Sequence, residues 1–347
     1  QEHSRPLAPE GFARTSVAGK PGFAGGNWLI LEDPASGEVL GAHLAWSGDH
    51  DTRIDADMVG SADGRAVLQM GAAWDGGEVD LEHSVGYRTP TAMFALAPDR
   101  SALAQRFHDH ARAAVLPARK DWGPRKVHLN SWEALGFNLS EDGLMRLADD
   151  AAALGIERFV LDDGWFGGRR DDRTSLGDWF VSPDVFPNGL APLIARVHEL
   201  GMDFGLWVEP EMVSPDSDLT RAHPDWCLHI EGRARPTMRG QLALDMARAE
   251  VRDYLFARLD ALLREYPIAY LKWDHNRDLF PAGAGQTQGF YALLDAVRAA
   301  HPQVEIESCA SGGGRVDAGI LARTHRVWLS DSNDALERLR IQHDAAL

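Results

Sequence analysis

The chain has 347 residues, 35 of them basic and 52 acidic, giving a formal net charge of −17 with histidine neutral. At 44% hydrophobic and 25% charged it has a globular composition, which excludes wholesale disorder and collagen-like repeats and leaves room for about two domains. So acidic a chain repels nucleic acid and anionic membranes, and its two cysteines, Cys227 and Cys309, are too few for a disulfide scaffold or a four-thiolate zinc site.

No apolar run approaches the ~20 residues that span a bilayer. The chain opens on Gln1-Glu2-His3-Ser4-Arg5, without a signal-like apolar stretch, and stops at Leu347 directly after a helical pattern. Both ends read as cut, and a cytoplasmic location is the expectation for the parent protein.

Residues 1–100 read as part of a β-sandwich. Short apolar runs at Trp28–Leu31, Val39-Leu40, His43–Trp46, Ala66–Leu68 and Met93–Leu96 are separated by turn chemistry at Asp33-Pro34, Ser36-Gly37, Ala62-Asp63-Gly64 and Asp75-Gly76-Gly77. Residues 101–124 read as a helical linker. Leu103, Phe107 and Ala111 share one face of its Ser101–Val115 stretch, and Asp121-Trp122-Gly123-Pro124 leads onward.

From residue 125 to 347 strands alternate with helices. The strand candidates are Val127–Asn130, Phe159–Leu161, Phe204–Val208, Ala269–Leu271, Val304–Ile306 and Val327–Leu329. Between them lie helical patterns on Leu144, Leu147, Ala148, Ala151 and Leu154, on Leu193, Ile194, Val197 and Leu200, and on Val251, Tyr254, Leu255, Leu259, Leu262 and Leu263. Such alternation implies a parallel sheet with right-handed crossovers. An open nucleotide-binding sheet needs a glycine-rich turn after its first strand, and Ser131-Trp132-Glu133-Ala134-Leu135-Gly136 is not one. The fold class is therefore α/β, a (β/α)8-type barrel of which about six β/α units are present. Unpaired strand edges would then be exposed, so poor folding and little activity are expected of this chain taken alone.

Nearly every strand ends in a polar cluster: Asn130-Ser131-Trp132, Asp162-Asp163-Gly164-Trp165, Glu209-Pro210-Glu211, Lys272-Trp273-Asp274, Glu307-Ser308-Cys309 and Ser330-Asp331. In a barrel these ends converge on the rim that carries chemistry. One such carboxylate is most simply a helix cap or loop hydrogen-bonder. A full set facing one cavity binds a metal or performs carboxylate-pair catalysis on sugars. Tryptophans beside the acids favour sugar, because pyranose C–H faces stack on indole, although any one of them serves equally well as packing. Lys272 and Asp274, two apart on a strand, point the same way, so the cation holds Asp274 ionised or simply pairs with it structurally. Ser311-Gly312-Gly313-Gly314-Arg315 lacks the phosphate-binding endings and suits a bare-backbone floor. Cys309 reads as a small buried residue, and no histidine or cysteine spacing proposes zinc.

Taken in order, these six strand-end motifs resemble those of glycoside hydrolase family 36, mainly bacterial α-galactosidases, from about residue 125 to 342; residues 1–120 resemble only the tail of that family's N-terminal sandwich. The resemblance implies a retaining double displacement on α-galactoside oligosaccharides such as raffinose or melibiose, with no cofactor or metal and a homo-oligomeric parent enzyme. It makes Asp274 the nucleophile and Asp331 the acid/base, with Asp334 the less favoured candidate for the second role. It makes Asp162 and Asp163 the acceptors of the O4 and O6 hydroxyls, Lys272 a further ring contact, Trp132 and Trp207 the pocket aromatics and Arg239 a substrate contact. Cys309 and Gly312 become the floor beneath the 2-hydroxyl. An apolar setting after Trp328 and Leu329 is expected to raise Asp331. His275, Gly240 and Ser332-Asn333 depart from the family pattern, where Met, Asn and Asn-Thr are usual.

Three other readings compete: an α-N-acetylgalactosaminidase or galactosyl-transferring relative, a metal-dependent lyase using Asp162, Glu209 and Asp274, and a non-catalytic sugar-binding protein.

Overall fold

The structure is a computed structural model that describes residues 6–7, 11–22, 25–55, 66–74, 78, 86–117, 123–280 and 283–345. The turns expected at Ala62-Asp63-Gly64 and Asp75-Gly76-Gly77, the Asp121-Trp122 step, the Gln1–Arg5 opening and the final Ala346-Leu347 lie outside these residues. Two compact units divide the chain. Residues 1–117, 278–287 and 310–347 form the first, and residues 118–277 and 288–309 form the second.

The first unit contains β1 (Phe12–Ser16), β2 (Trp28–Glu32), β3 (Val39–Ala45), β4 (His50–Asp55), β5 (Val67–Ala72) and β6 (Thr91–Ala97). They form two antiparallel sheets, in the orders β1-β4-β5 and β2-β3-β6. The runs read as Val39-Leu40 and His43–Trp46 are one strand, β3, because Gly41 stays in register opposite Ala95. Strands β1 and β4 escape a hydropathy reading. In β4 the inward positions are His50, Thr52 and Ile54, so the period of two is present but two of its three buried residues are polar. Helix α1 (Arg100–His110) starts where the Asp99 side chain accepts from the Ala102 N–H, and a π-helical turn, Ala111–Val115, extends it. Its Leu103 and Phe107 cover Val39 and Ala97, the apolar core of this sheet.

The second unit is built on β7 (His128–Asn130), β8 (Arg158–Leu161), β9 (Asp203–Val208), β12 (Tyr270–Trp273) and β13 (Glu305–Ser308), interrupted by a two-residue antiparallel pair, β10 (Met212–Val213) with β11 (Leu242–Ala243). The five longer strands pair in parallel, each with the next in chain order. Its helices are α2 (Trp132–Leu135), α3 (Glu141–Ala153), α4 (Ala191–Glu199), α5 (Asp218–Ala222) and α6 (Ala249–Glu265), with α7 (Ala284–Ala300) running in from the first unit. Each long helix buries the stripe its sequence displays. In α3 the Ser140 side chain accepts from the Gly143 N–H, Glu141 and Asp142 complement the helix dipole, and Leu144, Ala148 and Ala151 turn inward. Leu154, expected on that stripe, is instead the exposed C-terminal cap, because Gly155 in the left-handed region ends the helix one residue later. This strand–helix alternation is that of an incomplete (β/α) barrel. At the strand starts, Arg158 pairs with Glu305 at 2.9 Å and lies over the Tyr270 ring, so the end opposite the polar clusters is closed by a buried ion pair.

Residues 310–347 return to the first unit as α8 (Ala318–Leu321), β14 (Arg326–Val327) and α9 (Ala335–Ala345). Asp317 is fully buried. It caps α8 by accepting from the Gly319 and Ile320 N–H groups, while Ser47 Oγ donates to its other oxygen at 2.8 Å. Among the described residues no helix is long and apolar enough to cross a membrane.

Candidate active site

In the second unit the strand register decides which side chains share a face. Lys272 of β12 lies opposite Trp207 of β9 on one side and Glu307 of β13 on the other. Asp274, two residues beyond Lys272, continues that row past the strand end. Trp273, between them, points to the other face, where its indole donates to Glu211 Oε1 at 3.2 Å. Alternation along one strand thus separates a structural tryptophan from two functional candidates.

Asp274 is 5% exposed and surrounded by donors. Its Oδ2 accepts from Trp207 Nε1 at 3.0 Å and from Asn276 Nδ2 at 2.6 Å, and its Oδ1 accepts from the His275 backbone N–H at 2.8 Å. Burial by itself would raise this carboxyl. The Lys272 ammonium, together with hydrogen bonds from Trp207, Asn276 and Cys309, outweighs burial and holds Asp274 below the usual carboxylate range. Lys272 is pushed the other way. Burial disfavours its charge, but Asp162 and Asp274 more than compensate and keep it protonated. Its ion pair is with Asp162, Nζ to Oδ2 at 2.9 Å, rather than with Asp274.

Asp162 and Asp163 follow β8 and face different partners. Asp162 Oδ2 also accepts from Asn130 Nδ2 at 2.5 Å, and Asn130 Oδ1 accepts from the Trp132 N–H at 2.8 Å, which sets Trp132 at the start of α2. The half-buried Trp132 ring meets Phe137 edge-on. Asp163 is clasped by Arg169. Nε reaches Oδ1 at 3.0 Å, Nη2 reaches Oδ2 at 2.8 Å, and Arg169 itself is 1% exposed. Burial raises the Asp163 carboxyl even against this guanidinium, and only its remaining lone pairs are open to a ligand.

Trp207 is deeply buried. It packs against Phe166 and Trp179, accepts at its carbonyl from Trp165 Nε1, and contributes its N–H to Asp274, so it acts here as a donor to a carboxylate as well as an aromatic wall. Arg239 stands exposed at a hairpin tip. Met238 and Gln241 bridge, while Arg239 (φ 54°) and Gly240 (φ 70°) make the two-residue turn. Glycine and asparagine are the residues that tolerate this left-handed position, which accounts for Gly240 where the family pattern has Asn. Cys309 is buried after β13, its N–H bonded to the Trp273 carbonyl at 2.8 Å.

Gly312 and Asp331 belong to the first unit. Gly312 has φ 79°, and a Cβ there would lie 3.0 Å from the Asp331 backbone nitrogen, so only glycine lets these segments approach. Asp331 is exposed, and its Oδ1 accepts from Trp328 Nε1 at 2.8 Å, with the Arg338 guanidinium over that indole. The apolar setting expected of Asp331 is not present there. Among the donors to Asp162, Asp163 and Asp274, Arg169 and Asn276 are the ones the sequence reading missed. Arg169 lies seven residues beyond Asp162 in a loop without periodicity, and Asn276 follows the Lys272-Trp273-Asp274 cluster with no pattern of its own to mark it.

The second unit brings together an ionised carboxylate with several hydrogen-bond donors, a second carboxylate paired with a lysine, and buried aromatic rings. The melibiase family model matches residues 86–347. An α-galactosidase of Escherichia coli is 46% identical over 94% of this chain and 45% of its own length. The crystal structure of the glycoside hydrolase family 36 α-galactosidase AgaA of Geobacillus stearothermophilus superposes with a TM-score of 0.92 at 36% identity, covering 99% of this chain and 50% of that one. Variants of AgaA have been crystallised with stachyose and with raffinose. The chain spans about half the length of these relatives. With the family match covering most of its residues, the chain belongs to the melibiase family.

Proposed function

We propose that the protein containing this chain is a retaining α-galactosidase acting on terminal α-linked galactose in oligosaccharides of the raffinose and melibiose type. Asp274 attacks the anomeric carbon while Asp331 protonates the departing glycosidic oxygen. Water, deprotonated by Asp331, then displaces Asp274 from the galactosyl carbon. Asp162 and Lys272 serve as hydroxyl contacts, with Asp163 held in place by Arg169. Trp132 and Arg239 border the sugar, and Cys309 and Gly312 form its floor.

The observation that carries this reading is the state of Asp274: buried, yet kept ionised by a lysine and a set of hydrogen-bond donors. A nucleophilic carboxylate in a dry site needs that combination. The stachyose and raffinose complexes of AgaA favour the same substrate class. The lyase reading is weakened by the donors. Asp162, Glu209 and Asp274 all accept from N–H groups, and no group of three or more His, Cys, Asp or Glu among the described residues is spaced to hold a metal ion. Hydrolysis of p-nitrophenyl α-galactoside, compared with its N-acetyl analogue, tests the proposal. Asp274→Asn is expected to abolish turnover, and azide to restore it to Asp331→Ala; a fully active Asp274→Asn protein ends the assignment.

A further inference from the structure

Glu209 and Gln241 are polar residues with almost no exposure, 0% and 1%, and neither has a role in the reaction as proposed. Glu209 follows β9, and its two oxygens serve two different segments. Oε2 accepts from Gln241 Nε2 at 3.0 Å, and Oε1 accepts from the backbone N–H of Asn276. Asn276 in turn donates from Nδ2 to Asp274 Oδ2. Gln241 closes the hairpin whose tip is Arg239. The base of that hairpin is tied again to the segment after Asp274, because Arg277 Nη1 donates to the Gln241 carbonyl at 2.6 Å and to the Pro236 carbonyl at 3.2 Å. Gln241 Oε1 is buried and has no hydrogen-bond partner, so among the described contacts its amide is oriented by Glu209.

We propose that Glu209 is a positioning residue, a buried strut that sets the Arg239 hairpin and the Asp274 carboxylate relative to one another through Gln241 and Asn276. The inference rests on reading Asp274 as the nucleophile. A charged strut would defeat its purpose, since a second anion beside Asp274 would disfavour the ionised nucleophile. Burial, reinforced by the charges of Asp274 and Asp163 and only partly opposed by Arg169 and the Asn276 N–H, pushes Glu209 up to about 8. Neutral Glu209 still accepts the Asn276 N–H, and Asp274 stays the anion of the pair.

Steady-state kinetics of the full-length protein on p-nitrophenyl α-galactoside, as a function of pH, test this with Glu209→Ala and Glu209→Gln. Alanine removes both ties. It is expected to lower kcat by about 10- to 100-fold, the scale of one or two buried hydrogen bonds. It should also move the acid limb of kcat/KM to higher pH, because a loosened Asn276 stabilises ionised Asp274 less. Glutamine retains an acceptor oxygen without charge. It is expected to recover kcat to within about tenfold of wild type, with the acid limb in place. Wild-type kcat and an unmoved limb in Glu209→Ala overturn the proposal. So does an acid limb that falls in Glu209→Gln, the signature of a Glu209 charged in the wild type. If Glu209→Ala does not fold, the glutamine variant decides alone: a loss beyond tenfold or a displaced limb refutes the strut. A wild type that releases no nitrophenol overturns the functional reading itself, and the inference falls with it.

Discussion

Replacing Trp207 by Phe isolates the donor that the tertiary structure gives to Asp274. The substitution keeps an aromatic ring against Phe166 and Trp179 but removes the N–H that lies 3.0 Å from Asp274 Oδ2. A hydrogen bond to a charged group contributes about 1.5–3 kcal/mol, and each pKa unit corresponds to ~1.4 kcal/mol. The full loss would therefore raise the Asp274 carboxyl by roughly one to two units. Asn276 Nδ2, the His275 N–H and Lys272 remain, so the lower end applies, about one unit. The assay is the pH dependence of kcat/KM on an aryl α-galactoside. The acid limb, which reports ionisation of the free enzyme's nucleophile, should move up by about one pH unit. The smaller ring also leaves a void, so a loss of about 1–3 kcal/mol in denaturant stability accompanies it and is measured separately. A folded Trp207→Phe protein whose acid limb coincides with the wild type would refute the argument that this indole holds the carboxylate ionised.

Three further outcomes follow from other contacts. Arg169→Met strands the buried Asp163 carboxylate and should cost about 3–5 kcal/mol, with a smaller loss in acid than in alkali because burial favours the protonated carboxyl; urea titrations in acid and in alkali that give equal losses would contradict this. Gly289→Ala should lower thermal stability despite alanine's better helix propensity, by about 1–3 kcal/mol, because the new Cβ overlaps the Met246 carbonyl oxygen; a raised Tm counts against that packing. Glu209 has a folded pKa above its unfolded one, so folding favours its protonated form. Its ionisation in the unfolded chain therefore erodes stability as pH rises from 4.5 towards about 8, at up to ~1.4 kcal/mol per pH unit. Glu209→Gln should remove that slope, and identical stability–pH curves for the two proteins would rule it out.

The order of strands and helices in the barrel segment was legible from local pattern alone. Apolar strands such as Phe204–Val208 are buried on both faces and read as continuous runs, and α3, α4 and α6 repeat their apolar residues at helical spacing. The first unit was less legible. Strand β4 hides a period of two behind buried His50 and Thr52, and the polarity of a buried residue reflects its tertiary partners rather than its neighbours in sequence.

By itself, the sequence determined which residues stand at the ends of the second unit's strands, because the alternation of strand and helix puts successive parallel strand ends on the same side of their sheet. It also determined that Lys272 and Asp274 share a face, since that follows from the period of a strand. Only the tertiary structure decided the partners. It paired Lys272 with Asp162, clasped Asp163 with Arg169, turned Trp207 into a donor to Asp274, and set Glu209 between a hairpin and Asn276. These contacts join residues up to 110 positions apart. Whether a buried carboxyl is held ionised or pushed neutral depends on how many donors and charges converge on it, and that is a property of packing that no local pattern encodes.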